Sequence, residues 1–226
     1  DIKRGEFVTV IGGNGCGKST LMNLISGSVF PKKGRIFIDG KDVTYMPEHE
    51  RAKMIGRVFQ DPLRGTAPNL TVEENLSLAF LKGEKKGLKF SINKNRREIL
   101  KEKLKSLNLG LENRLDAKMG LLSGGQRQAI TLLMATLKKP KILLLDEHTA
   151  ALDPKSSEKI LEITERIASD PEITTLMITH NIRDSLKIGT RTIMLNLGKV
   201  VIDLNGEYRK IMSSEKLQKL FDDINY

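Results

Sequence analysis

Gly12-Gly13-Asn14-Gly15-Cys16-Gly17-Lys18-Ser19-Thr20 decides the fold. The stretch satisfies G-x-x-x-x-G-K-[ST], and its flanks supply the context that motif needs. Glu6 to Ile11 is a short β-branched run, and from Lys18 to Ser26 the residues Leu21, Leu24 and Ile25 recur at helical spacing. In a strand, glycine-rich turn and helix, successive backbone N–H groups point inward at nucleotide phosphates, and the helix adds its positive N-terminal dipole. Gly12, Gly13, Asn14, Gly15, Cys16, Gly17 and Thr20 are then the cradle. Lys18 reaches the β- and γ-phosphates, and the Ser19 hydroxyl ligates Mg²⁺.

Such a cradle needs a carboxylate for its metal. Ile142-Leu143-Leu144-Leu145-Asp146-Glu147 reads as a buried strand whose acidic pair emerges at the carboxyl end, where ligands bind in open α/β sheets. Asp146 is placed to hold Mg²⁺ and Glu147 to polarise an attacking water as general base. Further strands are expected at Arg35 to Ile38, Gly56 to Phe59, Thr174 to Thr179, Arg191 to Leu197 and Lys199 to Leu204, with a helix over Ser156 to Ala168. Alternating strands and helices with continuous apolar strands indicate an α/β layer on a parallel sheet. Between them the chain changes character. Glu73 to Leu81, Arg96 to Leu107 and Gly124 to Leu137 look helical, and Leu100, Leu104 and Leu107 form one apolar stripe. The expected division is an ATPase core of residues 1–61 and 140–226 interrupted by a helical subdomain of residues 62–139. A last helix over Ser213 to Phe221 is expected on the surface.

Composition bounds the rest. The 226 residues carry 38 Lys plus Arg against 28 Asp plus Glu, a formal +10, which by itself invites nucleic acid. The charge is local, however: Lys82 to Lys105 holds ten basic residues and three glutamates, so +7 of the +10 lies there. The longest apolar runs are a handful of residues, far below the roughly 18 to 20 needed to cross a bilayer. Cys16 is the sole cysteine, which excludes an intrachain disulfide and suits a reducing cytosol. The sequence begins at Asp1 without an initiator Met, and N-terminal strands are expected to be missing.

Leu122-Ser123-Gly124-Gly125-Gln126-Arg127-Gln128 precedes a helix with Ile130, Leu133, Met134 and Leu137 on one face. Ser123 is a good N-cap, and two glycines at a helix start make a second anion site. Here the sequence resembles the ATP-binding-cassette (ABC) ATPases, whose signature is Leu-Ser-Gly-Gly-Gln. The resemblance implies a P-loop NTPase with a RecA-like parallel-sheet core and an inserted helical subdomain. It also implies a head-to-tail dimer, in which Ser123, Gly124, Gly125 and Gln126 of one copy close over ATP held by the other. Gln60 looks like the glutamine that contacts Mg²⁺ or the lytic water. Ala150-Ala151-Leu152-Asp153 looks like the segment that runs along the dimer interface, and His180 like the switch histidine at the γ-phosphate.

Two departures accompany the resemblance. No aromatic residue before Gly12 is placed to stack on adenine, since Phe7 lies inside the strand. Pro commonly follows the catalytic glutamate in the family, whereas His148 does here, either hydrogen-bonding near the following segment or simply occupying a turn. Asp146 to Pro154 and Phe59 to Pro68 are similar to ATPase subunits of bacterial importers described as tryptophan/tyrosine or uncharacterised small-solute systems. That likeness implies an ATP-hydrolysing subunit at the cytoplasmic membrane face that powers a separate integral membrane permease. Its partners would be a second cassette and, indirectly, an extracytoplasmic solute-binding protein, without nucleic acid. A non-transport cassette ATPase acting on nucleic acid or ribosomes is the alternative. The nucleic-acid form is disfavoured because only about a hundred residues, without the sustained heptads of such relatives, separate cradle and signature, and the ribosomal form because such proteins normally carry two cassettes in one chain.

Overall fold

In the computed structural model, residues 1–81 and 94–225 are described, with the side chains of Lys94 and Asn225 set aside. Chain order begins β1 (Phe7–Gly12), α1 (Lys18–Ser26), β2 (Phe37–Ile38), β3 (Lys41–Asp42), α2 (Glu48–Arg51) and β4 (Ile55–Val58). It continues α3 (Val72–Phe80), α4 (Lys94–Lys105), α5 (Gly124–Thr136), β5 (Ile142–Asp146), α6 (Pro154–Ala168), β6 (Thr174–Ile178) and α7 (Ile182–Lys187). β7 (Arg191–Asn196), β8 (Lys199–Asn205), α8 (Gly206–Lys210) and α9 (Ser214–Asn225) complete it.

Six strands form one sheet in the order β4-β5-β6-β1-β7-β8. All neighbours are parallel except the last pair. β1 is buried along its whole length near the middle, which is why its sequence is apolar on both faces. β8 departs from the expected parallel layer. Only Leu197 and Gly198 separate it from β7, both at positive φ, and a two-residue turn can join antiparallel strands but not parallel ones. The strand expected at Arg35 to Ile38 shrinks to Phe37–Ile38, which pairs with β3 in a separate two-stranded sheet.

One face of the sheet packs on α1, where Val8, Val10, Met22, Leu144 and Ile178 share a cluster. The other face packs on the inserted helices. Leu100 and Leu104 of α4 and Leu107 just beyond its end, the expected stripe, are buried with Val58, Leu143 and Leu145 in one continuous cluster. Each such leucine contributes about 1.5–3 kcal/mol of transfer free energy. The insertion is therefore tied to the sheet through a shared core.

Half of the basic run, Lys82, Lys85, Lys86, Lys89 and the Lys94 side chain, lies outside the described residues. Two of its arginines are engaged locally. Arg97 pairs with the buried Glu73 and with Asp116, and Arg96 lies over the Phe80 ring at 5.2 Å. Among the described residues no helix is long and apolar enough to cross a membrane.

Candidate active site

The parallel strands end on one side of the sheet, and the candidate residues follow those ends. Gly12 closes β1, Gln60 lies two residues beyond β4, Asp146 closes β5, and His180 lies two residues beyond β6. This is the edge where open α/β sheets bind ligands.

The cradle is a tight loop from Gly12 to the first turn of α1. Gly12 sits at φ 155°, and a Cβ there would fall 2.4 Å from the Leu195 carbonyl oxygen, so only glycine fits. Gly17 caps α1 at φ 108°. The loop is braced from β7–β8 by Gly198, whose N–H donates to the Cys16 carbonyl at 2.8 Å. Lys18 is buried, and its ammonium donates to the Gly12 and Gly13 carbonyls at 2.8 Å each. That folds the cation back into the loop it is expected to lend to a phosphate. Asn14, Gly15, Ser19 and Thr20 are exposed, with their polar groups open to solvent, while Cys16 is buried.

Beside the cradle lies a cavity of about 750 Å³ bordered by Ser19, Gln60, Asp146 and Glu147. Ser19 offers a hydroxyl, Gln60 an amide and Asp146 a carboxylate. Three hard oxygen donors with one carboxylate fit Mg²⁺, which keeps waters and shares phosphate oxygens rather than filling an all-protein cage. Among the described residues there is no cluster of three or more His, Cys, Asp or Glu placed to hold a metal.

Glu147 adopts φ 48°, a conformation costing about 1–2 kcal/mol for a residue with a Cβ. It is held there by its own N–H to the Ile178 carbonyl (3.1 Å) and by the Ala150 N–H to the Glu147 carbonyl (3.0 Å). The bend brings the carboxylate to His180, with Oε1 2.5 Å from Nε2. A carboxylate only accepts, so Nε2 carries the proton of this contact.

His148 follows Glu147 directly. It does not simply occupy a turn: it is 2% exposed, and its Nε2 lies 2.9 Å from Thr164 Oγ1 on α6. The Thr164 hydroxyl donates to the Ile160 carbonyl at 2.8 Å, so His148 is the donor to Thr164. Burial pushes the imidazole pKa down from 6.5 to about 4. Asp153 then N-caps α6 by accepting from the Ser156 N–H at 3.0 Å.

The signature residues lie elsewhere. Ser123 N-caps α5 in a capping box, accepting from the Gln126 N–H while Gln126 Oε1 accepts from the Ser123 N–H. Ser123, Gly125 and Gln126 border a second cavity of about 450 Å³ with Lys155 and Lys159, and none of them borders the first. Within one chain the structure thus brings Ser19, Gln60, Asp146, Glu147 and His180 together and leaves Ser123 to Gln126 apart. Phe7 is buried in β1, in keeping with its exclusion as an adenine platform.

Two participants escape sequence reading. Arg57 on β4 reaches into the first cavity, 3.4 Å from the Asp146 carboxylate. Gln128 on α5 is fully buried and donates to the Phe59 carbonyl, one residue before Gln60, at 3.2 Å. The available signals were polar side chains in otherwise apolar settings: an arginine within the strand Gly56 to Phe59 and a glutamine on a core-facing helix.

The fold and this site define a P-loop ATPase whose phosphate cradle, acidic strand end and signature helix start occupy one chain. The comparisons sharpen that class. The family model described as ABC transporter matches residues 1–150. A tyrosine transport ATP-binding protein of Clostridioides difficile is 46% identical over 222 residues, covering 98% of this chain and 88% of that protein. The dimeric post-hydrolysis structure of the ATP-binding cassette MJ0796 bound to ADP and Pi superposes with TM-score 0.75 at 33% identity, covering 91% and 87%. The structure of cbiO1 from Clostridium perfringens, part of the ABC transporter complex cbiONQ, gives TM-score 0.79 at 27% identity, covering 98% and 85%. The chain belongs to the ABC transporter family, as an ATP-binding cassette of the import type that hydrolyses ATP to drive transport.

Proposed function

We propose that Glu147 is the general base for the attacking water and that His180 orients it and meets the γ-phosphate. The observation that carries this is the 2.5 Å contact between the two, on the same edge as Ser19, Gln60 and Asp146. Lys18 leaves the Gly12 and Gly13 carbonyls for the β- and γ-phosphates, and the cradle N–H groups from Gly13 to Thr20 hold the remaining oxygens. Ser19, Gln60 and Asp146 hold Mg²⁺, which when bound neutralises charge on the β- and γ-phosphates. Ser123, Gly124, Gly125 and Gln126 act on the nucleotide of a second copy. Their separation from the cradle within one chain supports a head-to-tail homodimer with two shared sites. The dimeric relative supports the same arrangement.

The domain division we propose is a core of residues 1–61 and 140–226 and a helical subdomain of residues 62–139. All six strands of the main sheet fall in the former among the described residues. The cassette works at the cytoplasmic face of the membrane, moving an integral membrane permease fed by an extracytoplasmic solute-binding protein. The relative named for tyrosine transport supports an amino-acid solute. The test of the chemistry is Glu147→Gln. The variant binds ATP, loses turnover and accumulates dimers on size-exclusion chromatography; rapid hydrolysis with no added dimer would refute the assignment. Co-purification with a multi-spanning permease tests the assembly, and nucleic acid that stimulates hydrolysis would overturn it.

A further inference from the structure

Arg57 is held from several sides. Its Nη2 donates to Asn23 Oδ1 at 3.0 Å and its Nη1 to Ser26 Oγ at 3.3 Å, both on α1. Its guanidinium carbon lies 4.8 Å from the centroid of the Phe59 ring. The contact to Asp146 Oδ2, at 3.4 Å, is the longest of its polar contacts, and Nε is buried without a partner among the described residues. The position of the guanidinium is thus set by α1 and Phe59, with Asp146 as the neighbour on which the charge falls. A guanidinium does not deprotonate, and the two side chains are only 15% and 21% exposed, so solvent screens the pair incompletely.

We infer that Arg57 is a positioning residue that competes with the divalent cation for Asp146, weakening metal binding until nucleotide phosphates supply the remaining ligands. The inference rests on the reading of Asp146 as the metal carboxylate. One fixed positive charge beside Asp146 lowers its attraction for a second cation, while of the other carboxylates bordering the cavity Glu147 is engaged by His180 and Asp61 accepts from the Leu63 N–H. The phosphates of ATP restore the deficit. Asp146 would then hold a divalent cation tightly only when nucleotide phosphates occupy the cradle. Asn23 and Ser26, by anchoring Arg57 to the cradle helix, place that charge in fixed register with Ser19 on the same helix.

The experiment measures the dissociation constant of a fluorescent, non-hydrolysable ATP analogue with excess Mg²⁺ and with EDTA, and takes the ratio. Linkage makes that ratio the contribution of the metal. Arg57→Met and Arg57→Gln, both neutral, raise the ratio roughly three- to tenfold. Arg57→Lys keeps the charge and stays near wild type, an outcome that a purely structural role for the guanidinium fork does not give. A ratio unchanged or lowered in both neutral variants overturns the inference. Asp146→Asn separates the two levels of the argument. Its ratio collapses toward one if Asp146 holds the metal, whereas a ratio kept in Asp146→Asn overturns the metal reading and the inference with it.

Discussion

Glu147 Oε1 lies 2.5 Å from His180 Nε2, so the residues at the carboxyl ends of two adjacent strands meet in one hydrogen bond. The contact exists because Glu147 takes a left-handed backbone conformation directly after β5. Two groups acting as one unit give non-additive losses. Glu147→Gln and His180→Ala are each expected to lower ATP turnover by about 10²-fold or more, the usual span of general-base catalysis. The double variant is expected to be little worse than the more damaged single one. Phosphate-release assays decide it, and losses that multiply would show that the two residues act separately.

The cradle tolerates change unevenly. At Gly12 a new Cβ would meet the Leu195 carbonyl oxygen at 2.4 Å and Cys16 Sγ at 2.5 Å, whereas at Gly15 it would meet nothing within 4 Å among the described residues. Gly15→Ala pays only for its φ of 75°, about 1–2 kcal/mol. Gly12→Ala must also displace backbone, and is expected to cost upwards of about 3 kcal/mol. Paired urea melts check this. A Gly12→Ala protein as stable as Gly15→Ala would mean that the loop and β7 can part without penalty.

What could be read along the chain and what could not divide by range. The cradle, the Ile142–Asp146 strand and the Ser123 N-cap are set by consecutive residues, and each forms where its sequence places it. Helices α2, α7 and α8 are of 4, 6 and 5 residues, too short for a 3.6-residue period to show in the sequence. Arg57 could not be read as a neighbour of Asp146, because only the register of β4 against β5, with Arg57 opposite Leu144 and Val58 opposite Leu145, brings the side chain there. Arg51 is similar. Buried and bonded to the Leu24, Ile25, Thr44 and Met46 carbonyls, it closes the end of α1 across a span that no local pattern reveals.

His148 makes stability depend on pH in a defined window. Its pKa is about 4 in the folded chain against 6.5 unfolded, so the unfolded state binds the extra proton as pH falls between those values. The neutral, buried form contributes fully above about pH 6.5, and the contribution is lost toward pH 4, at most about 3 kcal/mol. Wild type is expected to lose about 2 kcal/mol more than His148→Gln between pH 7 and pH 5. Urea unfolding at both pH values supplies the comparison. Equal losses in the two proteins would mean that other groups carry the acid sensitivity.

Gln128 links the signature helix to the strand end that carries Gln60. Its amide donates to the Phe59 carbonyl, and its Oε1 is buried with no partner among the described residues, so the side chain is kept for one bond at the cost of an unsatisfied oxygen. Gln128→Leu relieves that oxygen but orphans the Phe59 carbonyl, and the two effects offset in global stability to within about 1–2 kcal/mol. The local consequence does not offset, because the segment from Phe59 to Asp61 loses its tie to α5. Amide exchange across residues 59–61 is therefore expected to quicken while exchange in β5 stays unchanged, and turnover to fall about tenfold through looser placement of Gln60. Adding Gln60→Ala to Gln128→Leu is expected to lower turnover no further than Gln60→Ala alone, since Gln128 acts through Gln60. A double variant slower than either single one would give Gln128 a separate role within α5, where Ser123 and Gln126 already occupy the helix start.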